Sequence, residues 1–308
     1  MNPRCHTPTR GAPPGLIRAL GLDWKFPPHS QLVGKTALCA HNWAKVTANR
    51  WVLVTISGHK LELTASPVQS HQPTTVPKQD TMGLMEEEVR SLLNKGAVME
   101  VDNSDKGFYS TMFLVPKKDG QQRPVINLKS LNRFVNAPHF KMEGTHVVRD
   151  LIQQGDWLTR LNLKDAYFAI PVSTAHQKYL RFKCRKRSFQ FRCLPFGLAS
   201  APRMFMKVLH LVVGLLRRMG IRCVVYLDDL LIMCQDKEEA VRQTWEAIDL
   251  LESLGFLVNY RKSVTSPVQE LIFLGFVINS VTKTMRLPKE KTSQISVSYT
   301  HLTLPTKA

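Results

Sequence analysis

The chain has 308 residues, enough for two or three subdomains around a substantial core, and its hydrophobic share of 44% is ordinary for a globular protein. Its 42 Lys and Arg against 24 Asp and Glu leave a formal net charge of +18, which points to a polyanionic partner, nucleic acid before membrane; a merely solvated basic surface is the bland alternative. No apolar run reaches the roughly 18–20 residues of a membrane span, and MNPRCHTPTRGAPPG lacks the apolar core of a secretory signal, so an intracellular protein is expected, in cytoplasm or nucleus.

Residues 1–80 are read as an N-terminal extension and Pro/Thr-rich linker, partly disordered. Within it, WVLVTISGHKLELT alternates well enough to predict one or two strands around Ser57-Gly58, and Thr64 to Asp80 reads as extended linker. A domain over 81–290 opens with the helix TMGLMEEEVRSLLNKG. Thr81 or Asp80 caps it, Lys95 and Gly96 close it, and Leu84, Met85, Val89, Leu92 and Leu93 lie near one face. TMFLVP, a turn on Asp119-Gly120 and RPVINL form a hairpin with Lys117, Lys118 and Arg123 near its tip. WLTRLNL and RKRSFQF are strands, and a helix capped by Ser200 runs to about Met219. IRCVVYLDDLLIMC is two apolar strands with two acids between them. KEEAVRQTWEAIDLLESLGF is a helix ending at Gly255, and ELIFLGFVI pairs with TMRLP. The mixture predicts an α+β layered domain. VSYTHLTLPTKA, residues 297–308, has no capping or periodic logic. It resembles the translated read-through of a sequencing-library adapter and is left out of the fold. None of the six cysteines forms a CxxC pair, so they are read as reduced thiols, mostly core filler.

The chemistry concentrates at Asp228 and Asp229. Adjacent carboxylates among apolar β-formers are costly to bury unpaired, but at a hairpin turn they suit a divalent cation shared with substrate phosphates. A solvated Asp-Asp turn is the alternative. In this context Tyr226-Leu227-Asp228-Asp229 resembles the YxDD motif of reverse transcriptases. LPFGLASAPRMF, Leu194 to Phe205, resembles a segment of long-terminal-repeat-type elements, VPKKDGQQRPVINLKSLN their fingers hairpin, and FLGFVI their primer grip. INLKSLNRFV, HFKMEG and RQTWEAIDLLESLGFLVNY are most similar to DIRS-type retroelements.

The resemblance implies a right-hand polymerase of fingers and palm, the palm an antiparallel sheet with helices on one face, the thumb largely missing. It implies an RNA template, a DNA primer and product, dNTPs, and two Mg²⁺ ions for which Mn²⁺ can substitute. Asp228 and Asp229 are then the catalytic metal ligands. Lys117 (with Lys118 as competitor), Arg123, Asp165, Ala166, Tyr167, Phe196 and Gly197 surround the incoming nucleotide, with Tyr167 as the gate against a ribose 2′-hydroxyl. Lys262 is the possible proton donor to pyrophosphate, and Phe273, Leu274, Gly275 and Phe276 form the primer grip. Taken alone, Tyr167 and Phe196 read as core aromatics and Lys262 as a surface lysine. The RNase H and recombinase domains that accompany such polymerases are not visible in this chain.

One position departs from the family pattern. Aligning Ala166, Tyr167 and Phe168 puts Asn162 where the first catalytic acid belongs and Asp165 at a second acid beside the triphosphate. On an extended strand 162 and 165 have opposite parity, so Asp165 does not substitute for position 162. An amide brings no charge to a metal site. Weak or absent polymerase activity is therefore expected, with a non-catalytic nucleic-acid-binding remnant or a truncated degenerate element fragment as the other reading.

Overall fold

The computed structural model describes residues 19–23, 33–69, 79–116 and 122–288. They divide into two units: Met1–Phe140, Leu163–Val212 and Glu246–Val258 make the first, and Lys141–Asn162, Val213–Trp245 and Asn259–Ala308 the second. In chain order the elements are helices α1 (Lys35–Leu38), α2 (Ala40–Val46), α3 (Arg50–Gly58) and α4 (Gln79–Asn94), then strands β1 (Val98–Val101), β2 (Tyr109–Pro116) and β3 (Gln122–Asn127). Helices α5 (Lys129–Asn132) and α6 (Thr145–Leu151), strand β4 (Trp157–Asn162), a 3₁₀ turn (Ala166–Ala169), helix α7 (Thr174–Gln177) and strands β5 (Arg181–Cys184) and β6 (Arg187–Phe191) follow. Helix α8 (Ala201–Arg218), strands β7 (Arg222–Tyr226) and β8 (Asp229–Cys234), helix α9 (Lys237–Ser253) and strands β9 (Val264–Val268), β10 (Glu270–Phe273), β11 (Phe276–Asn279) and β12 (Thr284–Arg286) complete it.

The first unit carries a five-stranded sheet in the order β1-β6-β5-β2-β3, antiparallel except for the β2–β5 pair. The expected β2–β3 hairpin is present, in register from Thr111 opposite Asn127 to Pro116 opposite Gln122. The strands expected around Ser57-Gly58 are corrected to the helix α3. The Asn49 side chain accepts hydrogen bonds from Trp51 N (3.0 Å) and Val52 N (3.3 Å), a standard helix start, and Val52, Thr55 and Ile56 bury at helical spacing. Over so few residues, apolar alternation fits both periods, and the cap decides. This part of the predicted extension is packed: Trp43 is fully buried, edge-on to Phe256, and its Nε1 donates to Leu254 O (2.9 Å). Residues 70–78 of the predicted linker lie outside the described residues.

Helix α4 starts at Gln79, which puts Asp80 and Thr81 inside its first turn rather than ahead of it. Met85, Val89 and Leu92 are buried, but Leu84 is exposed. The Ser200 cap is also corrected. Its Oγ is buried with no hydrogen-bond partner among the described residues, and Pro202 leaves Arg203 as the one remaining N–H of the two that a cap accepts.

The second unit carries an antiparallel sheet in the order β7-β8-β4-β9 and a three-stranded sheet β10-β11-β12. Val148, Ile152, Leu158, Val224, Leu231, Met233, Leu271, Phe273 and Ile278 form its core. Strand β9, VTSPV, was not expected. It is an edge strand, where the missing N–H of Pro267 is tolerated. The run ELIFLGFVI splits into β10 and β11 at a two-residue turn in which Leu274 (φ +51°) and Gly275 (φ +79°) both take the left-handed conformation that tight hairpins favour. Just ahead of β4, Asp156 is fully buried. Burial alone would raise its carboxyl, but hydrogen bonds from Arg222, Gln153 N and Gln235 outweigh it and hold the group below the usual range. Cys39, Cys184, Cys193, Cys223 and Cys234 are free and buried, as expected; Cys5 and residues 297–308 lie outside the described residues.

Candidate active site

Strand register assembles the acid cluster of the second unit. β4 runs antiparallel to β8 with Asn162 opposite Asp229, and β7 pairs with β8 so that Tyr226 is also opposite Asp229. The two-residue connection Leu227-Asp228 holds Leu227 at φ +52°, a conformation that costs a β-region side chain roughly 1–3 kcal/mol and recurs at functional turns. Asn162 Nδ2 donates to Asp228 Oδ2 (3.0 Å) and to Asp229 Oδ1 (2.9 Å). All three side chains are half-buried. Burial raises the Asp229 carboxyl above its ordinary range; the Asn162 hydrogen bond opposes this and the charge of Asp228 adds to it.

The backbone of Asn162 is pinned as well. Its N–H donates to Ser263 Oγ (3.0 Å), and its carbonyl accepts from Asn259 N (2.7 Å). Two places back on the strand, Arg160 donates to the carbonyls of Ile272 (2.6 Å) and Lys262 (2.8 Å). Sequence reasoning missed Ser263, Asn259 and Arg160, since their partners lie about a hundred residues away. The exposed Lys262 sits where its charge, like that of Arg160, lowers the Asp229 carboxyl. Asp228 and Asp229 fit a hard divalent cation held jointly with substrate phosphates, which needs one or two carboxylates. The third side chain of the set, Asn162, turns hydrogens toward them instead of an anionic oxygen, and no group of three or more His, Cys, Asp or Glu suited to a metal occurs among the described residues.

The described residues of the expected nucleotide set, Asp165 to Tyr167 with Phe196 and Gly197, lie in the first unit. β4 stops at Asn162, and Asp165 takes the left-handed conformation (φ 48°) at the head of the 3₁₀ turn. Strand alternation therefore stops short of Asp165, because the chain leaves the strand after Asn162. Its carboxylate pairs with Lys95 Nζ (3.1 Å), a residue with no role in the sequence reading beyond closing a helix. Ala166 and Tyr167 are buried in the turn. The Tyr167 ring lies 5.0 Å from Phe196 and 5.4 Å from Phe205, so it is a packed aromatic, while Phe196 is 49% exposed. Gly197 has φ +96°, and a Cβ there would come within 2.9 Å of the Ile126 carbonyl oxygen. Asn132 clamps this loop from both sides: its Nδ2 donates to Gly197 O and its Oδ1 accepts from Ala199 N, each at 2.9 Å. Lys117, Lys118 and the Arg123 side chain lie outside the described residues. In the second unit, Phe273 is core, Leu274 and Gly275 form the hairpin turn, and Phe276 is half-buried.

Taken together, the fold is a mixed α+β polymerase fold. It is similar to the foamy viral protease-reverse transcriptase in complex with RNA/DNA hybrid, with a TM-score of 0.65, 22% identity, and coverage of 80% of this chain and 32% of that one. A second structure of that protein, in complex with ds DNA, gives 0.66 at 19% identity over 91% of this chain and 51% of the other. The sequence matches the family described as Reverse transcriptase (RNA-dependent DNA polymerase) over residues 115–278, more than half of its length, and the chain belongs to that family. Over 198 residues it is 26% identical to the Transposon Tf2-3 and Tf2-7 polyproteins of Schizosaccharomyces pombe, covering 64% of this chain but only 14% of each polyprotein. No helix among the described residues is long and apolar enough to cross a membrane.

Proposed function

We propose that this chain is the fingers and palm of a retroelement reverse transcriptase, of DIRS type, whose nucleotidyl transfer is impaired by Asn162. The observation that carries the impairment is the Asn162 amide, which directs N–H hydrogens at both carboxylates that would hold the catalytic metal. Asp228 and Asp229 are the residues that would hold Mg²⁺ or Mn²⁺; a pair of such ions, when bound, would supply activation of a primer 3′-hydroxyl and neutralisation of charge on the departing pyrophosphate. Lys117 and Arg123 contact the triphosphate, with Asp165, Ala166, Phe196 and Gly197 around the nucleotide. Tyr167 excludes the ribose 2′-hydroxyl, Lys262 donates a proton to pyrophosphate, and Phe273 to Phe276 steady the primer end. The template is RNA, the product DNA, and the net charge of +18 favours both. Losing roughly 3–5 kcal/mol of metal-borne stabilisation slows synthesis by about 10²–10⁴. Primer extension by Asn162→Asp beside the unaltered chain, both carrying a downstream thumb segment, tests this in Mg²⁺ and Mn²⁺; equal rates in both ions sink the claim.

The same amide, with the same charge, supports a second reading: a nucleic-acid binder without turnover. Under it, template–primer binding falls steeply with salt while Asn162→Asp gains no extension.

A further inference from the structure

Asn162 is held on four sides. Its N–H is taken by Ser263 Oγ, its carbonyl by Asn259 N, and its side-chain nitrogen by Asp228 and Asp229 together. Both hydrogens of the amide are thereby committed, one to each carboxylate. The three residues come from separate stretches: the last position of β4, the turn after β7 and the first position of β8. A carboxylate at position 162 would set three like charges on these neighbouring positions, and they would repel unless a cation stood between them. An amide meets the same carboxylates with hydrogens, and hydrogen bonds to charged acceptors are the stronger kind.

We infer that the Asn162 amide does the structural work of a bound cation: it bridges Asp228 and Asp229 and ties the end of β4 to the β7–β8 turn, so the junction holds its form independently of divalent metal. This rests on the reading of the two aspartates as cation ligands. A cation reaching Asp228 and Asp229 must first displace the bridge. The Asn162 chain is thus a cation-indifferent version of the site, and its weakened chemistry and its metal-free stability have one cause.

Thermal unfolding of the full chain, in EDTA and in Mg²⁺ or Mn²⁺, tests the inference, with Mn²⁺ binding followed by electron paramagnetic resonance. The unaltered chain should unfold within about 1 °C of the same temperature in both conditions. Asn162→Ala, which removes the bridge without adding charge, should lose about 5 °C in EDTA. Asn162→Asp should lose at least as much in EDTA, recover about 5 °C at a hundredfold excess of cation over its Kd, and bind Mn²⁺ about tenfold more tightly or better. The inference is overturned if Asn162→Ala is as stable as the unaltered chain in EDTA, or if the unaltered chain gains as much from cation as Asn162→Asp. A third result, Asn162→Asp indifferent to cation, would instead remove the reading of Asp228 and Asp229 as cation ligands, and the inference with it.

Discussion

The two units hold their candidate residues by different means. In the second, the acid cluster follows from strand register: once β4 pairs with β8, Asn162 lies opposite Asp229, and a two-residue turn adds Asp228. In the first, the expected nucleotide residues depend on long-range clamps. Lys95 reaches Asp165 across 70 positions, and Asn132 grips the Gly197 loop across 65. Register is set by many backbone hydrogen bonds acting together, so it resists single substitutions, whereas a clamp is lost with one side chain. The second unit should therefore fail through its buried support, and the first through individual contacts.

The largest effects test the supports. Asp156→Ala leaves Arg222 without its buried partner and should cost about 3–5 kcal/mol. Hydrogen exchange should rise first in peptides covering β4 and β8; a rise confined to the first unit would contradict the separation. Trp43→Ala should cost a similar 3–5 kcal/mol, with faster exchange in the first unit, since it empties a fully buried site and orphans Leu254 O. If both substitutions loosen the same peptides equally, the two means of support are one.

Acid should discriminate next. Burial lowers the His59 imidazole in the first unit from its ordinary 6.5 to about 4, with His176 adding to the shift. The unfolded chain takes up that proton first, so the stability present above pH 6.5 is lost as pH falls through 4. The loss reaches roughly 3 kcal/mol, and urea titrations of His59→Gln should show a flatter profile over this window. Gly197→Ala combines an unfavourable φ with the approach to Ile126 O and should lower the denaturant midpoint by the equivalent of about 1–3 kcal/mol. Lys95→Met, at a partly buried ion pair, is the smallest test, at about 0.5–1 kcal/mol by double-mutant cycle with Asp165→Asn. A coupling near zero would show that Lys95 is no clamp.

Much of the architecture was legible in local pattern. The helices α4 and α9, the β2–β3 hairpin and the paired strands around Asp228 and Asp229 all follow from spacing and turn chemistry. What misled was short-range ambiguity. WVLVTISG suits either period until Asn49 caps it, and SAP carries a cap residue whose following proline removes a donor. In strand β9 a proline hid an edge strand.

By itself, the sequence determined that two carboxylates stand side by side between two apolar strands and that position 162 carries an amide. Those facts are local and survive any packing. Only the tertiary structure decided what that amide does, because its partners lie 66 and 67 residues away and meet it through the β4–β8 register. The same holds for Arg160, whose acceptors are 102 and 112 residues distant, and for the chain leaving the strand before Asp165. Side-chain hydrogen bonds between remote strands leave no periodic trace, so they become visible only once the sheet has formed.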